Sequence, residues 1–142
     1  MMRFAGSLLC AALALTVSAC AGRAAAPPRT TPASSPGVQE VREGLASYYG
    51  REFHGKPMAN GAPFDMNAMT AAHPTYPFGT VLRVTNLGNG RTVQVRVLDR
   101  GPARGPRAAG VVIDLSYAAA RTLGFLRDGR TRVRLEVLRW GE

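Results

Sequence analysis

The residue best placed to do acid–base chemistry is Asp99. It lies in the stretch 91–102, RTVQVRVLDRGP, in which Val93, Val95 and Val97 alternate with Thr92, Gln94 and Arg96 ahead of it. That alternation is the period-2 pattern of a half-buried strand. Gly101 and Pro102 stop the strand, because proline lacks an amide donor and glycine is permissive in φ. A carboxylate in this position is fixed by the strand and opened to a ligand by the turn. The same carboxylate also suits a plain structural task, capping its own turn or pairing with Arg100. His54, Asp65, His73 and Asp99 are the side chains able to ligate a metal. None forms a close pair such as H-x-x-x-H, so neither metal nor other cofactor is expected.

These residues need a scaffold. Residues 44–49 (GLASYY) read as a strand, with Leu45, Ser47 and Tyr49 on one side and Ala46 and Tyr48 on the other. Residues 50–67 carry Gly50, Gly55, Pro57, Gly61 and Pro63, which leaves no room for a regular element. Long ordered loops of this kind are commonly functional. A short strand at 69–72 delivers His73, and 74–79 turn the chain. Residues 81–86 (VLRVTN) alternate again, and Asn89-Gly90 marks a hairpin into the Asp99 strand. Residues 111–115 (VVIDL) form a short buried strand. Ser116 then caps a helix over 117–123, which Gly124 stops. The last strand, 131–138 (TRVRLEVL), turns Val133, Leu135 and Val137 inward and Arg132, Arg134 and Glu136 outward. Short strands, one short helix and no βαβ alternation predict a mainly β chain closed into a small barrel.

The rest of the chain reads as export and tether. Arg3 precedes an apolar run at 8–17 that is too short to span a bilayer comfortably. Val17-Ser18-Ala19-Cys20 resembles the lipobox of bacterial lipoproteins, so residues 1–19 are expected to be removed and Cys20 to carry lipid. Cys10 goes with the leader, which leaves Cys20 unpaired and excludes an intrachain disulfide. Residues 20–40, rich in Ala, Pro, Ser and Thr, are expected to be a disordered tether. The barrel should occupy 41–139 and a tail 140–142. Ala21 rather than Asp follows the cysteine, which predicts the outer membrane, facing the periplasm. The formal net charge is +9, and Lys56 is the sole lysine. A basic exported domain suits an anionic polymer or a membrane surface, and export argues against nucleic acid.

The segments GLASYYGREFHG, MANGAPFDMNAMTAAH, PFGTVLRVTNLGNGR, VRVLDRGP and VIDLSYAAARTLG occur in the order of the rare lipoprotein A family. The resemblance covers almost all of 44–138. It implies a six-stranded double-psi β-barrel with one short helix, similar to expansins, barwin and certain endoglucanases. It also implies a lytic transglycosylase whose partner is the peptidoglycan glycan strand, preferably free of stem peptides; the chain is expected to be a monomer. Such an enzyme cuts the bond between N-acetylmuramic acid and N-acetylglucosamine, with the muramyl 6-hydroxyl as nucleophile. No water is activated, so one carboxyl that first gives and then takes a proton is sufficient.

The family's motifs assign residues. Asp99 matches the Asp of DRGP and is the first candidate acid. Asp114 resembles the groove Asp of expansin-like barrels, or else accepts hydrogen bonds at the helix entry. His73 matches the TAAH histidine and either orients a carboxylate, binds a sugar hydroxyl or is structural. Tyr48, Tyr49 and Tyr76 are candidates for stacking on sugar rings; Asn60 and Arg100 are the polar candidates for binding substrate, and Phe78 is expected in the core. The loop departs from the family's TANGE pattern: Met58 replaces its Thr, and Ala62 its acidic residue. Leu98 stands before DRGP in place of a polar residue. The C-terminal peptidoglycan-binding repeat of many relatives is expected to be missing. These departures keep open a non-catalytic, expansin-like binding module and a structural envelope protein.

Overall fold

The computed structural model describes residues 37–142; the leader, Cys20 and nearly all of the predicted tether lie outside the described residues. Alternating apolar residues make the strands. Leu82 and Val84 of β3 (Val81–Asn86) and Val95 and Val97 of β4 (Thr92–Asp99) are buried, while their neighbours along each strand are more exposed. Gly90 sits at φ 75° in the hairpin that joins them. With β1 (Glu40–Tyr48), β2 (Thr70–Ala72), β5 (Val111–Leu115) and β6 (Thr131–Arg139) they close into a barrel in the order β1-β5-β2-β4-β3-β6. The β1/β5 and β2/β4 pairs are parallel, and the others are antiparallel. Ile113, Leu115, Val133, Leu135 and Phe125 fill the interior with the four residues above. Burial of each such side chain favours the fold by roughly 1.5–3 kcal/mol.

The helix α2 (Tyr117–Leu123) has the two ends expected of it. The Ser116 hydroxyl oxygen accepts from the Ala119 N–H at 3.2 Å, and Gly124 closes the helix in the left-handed region at φ 79°. Any side chain at Gly124 would be strained there. A second helix, α1 (Arg104–Ala108), corrects the expectation of one. It buries no residue and has no side-chain cap, so neither of the usual sequence signals marks it. The stretch 50–67 is also more regular than its glycines and prolines predict. It contains a 3-10 turn at Arg51–Phe53, and a small antiparallel pairing links Lys56 to Phe64 (2.7 Å) and Gly55 to Phe64 (2.8 Å).

Two other differences have local causes. β1 starts at Glu40 rather than at residue 44, because its first half pairs with β6 while exposing most of its side chains. Hydrophobic alternation cannot reveal such a segment. Glu136 was expected outward but is only 6% exposed. It lies between Arg83 (3.5 Å) and Arg134 (3.8 Å), and Arg83 is its register partner on β3. A carboxylate on a strand with neighbours on both sides is covered by their side chains, and the two guanidinium groups offset its desolvation.

Candidate active groove

β1 and β5 run parallel, with Ser47 opposite Asp114. Ile113 and Leu115 point into the core, so Asp114 between them points to the other face. There its Oδ1 accepts a short hydrogen bond from the Ser47 hydroxyl. On β2, Ala72 is the register partner of Asp114 on one side and of Asp99 on the other. The two carboxylates thus stand two strands apart, roughly 10 Å between Cα atoms at the usual strand spacing. Only the methyl group of a fully buried alanine lies on the strand between them. The DRGP turn folds back over this point. A Cβ at Gly101 would lie 2.9 Å from the Tyr49 hydroxyl, 3.0 Å from Asp114 Oδ2 and 3.4 Å from the Ala72 Cβ. A side chain there would press on both polar groups, because the backbone itself is packed against the site.

Tyr49 lines both the groove that holds Asp114 and the hollow that holds Asp99. Its ring meets Phe53 and Phe64 edge-on at centroid distances of 5.2 and 5.5 Å. Burial raises its phenol pKa above the ordinary value, and the charges of Asp99 and Asp114 raise it further. The phenol therefore stays protonated and can donate. Burial also pushes the Asp114 carboxyl up. The Ser47 hydrogen bond and Arg130 oppose that shift, and the charge of Asp99 adds to it. Asp114 lines an open groove of about 630 Å³, together with Ser47, Tyr49, Arg100, Pro102 and Arg107. Asp99 faces a smaller hollow of about 30 Å³, with Tyr49, Phe53, Lys56 and Phe64. Its Oδ1 accepts from the backbone N–H groups of Ala59 and Arg100, both at 2.8 Å. Asp99 therefore ties the 55–64 loop to the end of β4.

Ser47→Ala follows from this geometry as a test. Ser47 lowers the Asp114 pKa, so its removal should raise that pKa. The protonated acid would then persist to higher pH, and the alkaline limb of any activity that depends on it should move up. A pH–rate profile unchanged in the Ser47→Ala protein would show that this hydrogen bond does not tune the working acid.

Over residues 41–135 the chain matches the profile of a family described as Lytic transglycolase. The chain belongs to that family. It is 50% identical over 101 residues to a probable endolytic peptidoglycan transglycosylase RlpA of Synechocystis, covering 71% of this chain and 30% of the relative. It is 49% identical over 104 residues to the endolytic peptidoglycan transglycosylase RlpA of Campylobacter jejuni, covering 73% and 36%. The chain thus spans about a third of the length of these curated relatives. Among solved structures it is similar to a Streptomyces papain inhibitor, with a TM-score of 0.56, 28% identity and 72% and 97% of the two chains covered. It is also similar to the apo form of a Clavibacter michiganensis expansin, with a TM-score of 0.54, 25% identity and 72% and 52% covered. The six-stranded closed barrel is of the double-psi type.

Not every residue of the lytic transglycolase motifs reaches the groove. His73 is fully buried. Its Nδ1 accepts from the N–H of Tyr76 at 3.0 Å and of Thr75 at 3.3 Å, and its ring stacks on Tyr76 at 3.6 Å. Burial, then Arg42 and Arg100, lower its pKa to about 4, so the imidazole is neutral, with its proton on Nε2. Its side chain makes no hydrogen bond to either carboxylate among the described residues; only its backbone N–H reaches the Asp99 carbonyl, at 3.2 Å. Tyr76 is buried and donates to Glu40 at 2.6 Å. Tyr48 borders the groove, but its ring packs on Phe125 and its hydroxyl donates to the Leu126 carbonyl at 3.0 Å. Asn60 is exposed at the loop tip, where its Oδ1 accepts from the Ala62 N–H at 3.1 Å. Arg100 lines the groove while its Nη1 donates to the carbonyls of Tyr76 (2.8 Å) and His73 (3.2 Å). Its guanidinium stacks over Phe78, 4.0 Å from the ring centroid, so Phe78 supports the groove wall.

Ser47, Gly101 and Arg107 escaped the sequence reading. Ser47 of β1 alternates with Tyr49, the residue just past the strand, which is the only local signal for it. Among the described residues no group of three or more His, Cys, Asp or Glu is placed to hold a metal.

Proposed function

We propose that this domain is a peptidoglycan lytic transglycosylase acting on peptide-free glycan strands, with Asp114 as the proton-transferring carboxyl. The observation that carries this reading is a buried carboxyl with a raised pKa that lines an open groove of about 630 Å³. The names of the relatives support the substrate class. Asp114 protonates the leaving oxygen as its bond to the muramyl C1 breaks. The carboxylate so formed takes the proton of the muramyl 6-hydroxyl as that oxygen bonds to C1. The net change is one proton moved from the 6-hydroxyl to the leaving sugar and a 1,6-anhydro ring. This ranks Asp114 above Asp99, the reverse of the motif-based order, because it is Asp114 that lines the larger groove. Asp99 is then the second carboxylate, and Tyr49 the donor between the two. The test is the purified full-length chain on peptide-free strands, with mass spectrometry for 1,6-anhydromuramyl ends. Strands that stay intact at every pH would overturn the reading.

One observation favours a second reading, a binding module without lytic activity. Ala62 offers no acid in the loop that Asp99 anchors. Retained binding with no anhydro product would establish that alternative.

We further propose that lipid on Cys20 holds the protein at the outer membrane. Cys20→Ala should move the protein from the membrane fraction to the soluble one and abolish labelling by a fatty-acid analogue. A variant that still sediments with membranes would rule out this anchor.

A further inference from the structure

We infer that Arg107 determines specificity in the groove by pairing with the free lactyl carboxylate of a muramyl residue; this rests on the function proposed above. Two arginines line the groove, but they are not equivalent. The Nη1 of Arg100 is committed to two backbone carbonyls, and its guanidinium is stacked on Phe78. Arg107 projects from the exposed helix α1 and lines the same groove. Among the described residues it has no carboxylate within ion-pairing distance and no side-chain hydrogen bond.

An unpaired guanidinium donates more strongly to an anion than to the hydroxyls of a neutral polysaccharide. In a peptide-free glycan strand the anion is the lactyl carboxylate, one on each muramyl ring. Where a stem peptide is attached, that carboxyl has become an amide and carries no charge. The lactyl group is borne by the muramyl ring whose C1 is cut, so its reader must line the groove that holds the acid. Arg107 and Asp114 share that groove. A guanidinium matches a carboxylate with two parallel hydrogen bonds and matches an amide poorly. The preference for stripped strands then has a physical source in the groove that holds the reacting carboxyl: one charge that is present only when the peptide is gone.

The experiment measures binding of the full-length chain to two preparations of peptide-free strands, one native and one with its lactyl carboxyls converted to methylamides. Binding by the unmodified protein should weaken about tenfold on amidation, in the range for one charge-assisted pair. Arg107→Ala should lose about the same factor on native strands and should no longer distinguish the two preparations, as expected when both changes remove one interaction. Arg107→Lys should fall between. Arg104→Ala removes an equal charge from the same helix, outside the groove lining, and should behave as the unmodified protein. The gap between native and amidated strands should close as salt is raised. Helix α1 buries nothing, so these variants are expected to fold. Equal binding of both preparations by the unmodified protein would overturn the role of Arg107 and leave the glycan reading standing. So would an Arg107→Ala protein that still discriminates. Binding of neither preparation would overturn the glycan reading and the inference together.

Discussion

Asp114→Asn should lower the rate of anhydromuramyl product formation by about 10²–10⁴-fold, the range for loss of a positioned acid–base group, and should raise the stability of the domain at neutral pH. Asparagine keeps the shape of the side chain and can still share a hydrogen bond with Ser47, so the groove should survive. The stability effect follows from the direction of the pKa shift. Burial raises the Asp114 carboxyl above its ordinary value of 3.8, so the folded chain binds this proton more tightly than the unfolded chain. Such a group favours the fold fully below pH 3.8, and that benefit is lost as pH rises through the raised folded value. Asparagine has neither a charge to bury nor a proton to hold, so it removes this pH-dependent loss. The melting temperature of Asp114→Asn should therefore exceed that of the unmodified protein at neutral pH and lose this advantage in acid. Unchanged activity would transfer the acid role to Asp99. Loss of activity with lower stability at neutral pH would instead mark Asp114 as a structural residue at the entry of α2.

Ala62→Glu should raise the lytic rate by about 10²-fold, the lower range for one oriented electrostatic group. The 55–64 loop is already held in place. Met58 N–H donates to the Ala62 carbonyl at 2.8 Å, Gly61 turns at φ 86°, and Ala59 N–H anchors the loop to Asp99 at 2.8 Å. These are backbone contacts and survive a change of side chain at position 62. The transition state is oxocarbenium-like, and a carboxylate beside it stabilises the developing positive charge. An added negative charge would also raise the pKa of neighbouring carboxyls, so the alkaline limb of the pH profile should move up. The measurement is product formation against pH in both proteins. Equal rates with superimposable profiles would show that nothing is missing at position 62, and that the groove works with Asp114 and Asp99 alone.

Much of this barrel is written locally. The alternation in residues 81–86 and 92–97 specifies strands because the side-chain period of a strand is two. Ser116 and Gly124 bound α2 because each satisfies a helix end with its own chemistry. The DRGP turn is legible for the same reason: glycine and proline act within one or two residues of themselves. Elements without a local signature were not legible. Helix α1 buries no residue, and the first half of β1 exposes most of its side chains, so neither alters the hydrophobic pattern.

The surroundings of the two acids were not legible either. Motif position favours Asp99, but the environment of a carboxyl depends on what covers it. Asp114 is covered by Ser47 of β1, by Tyr49 just after that strand and by Gly101 from the β4 turn, residues that are remote in sequence. They meet because β5 lies between β1 and β2, an order set by closure of the barrel rather than by succession along the chain. His73 shows the converse. Its motif marks it for chemistry, yet the 74–79 turn wraps its Nδ1 in backbone N–H groups and its ring against Tyr76. Residue types and strand faces follow from short-range stereochemistry. Which carboxyl is pushed up by burial, and which histidine is sealed away from solvent, depends on desolvation by distant segments, and only the tertiary structure brings those together.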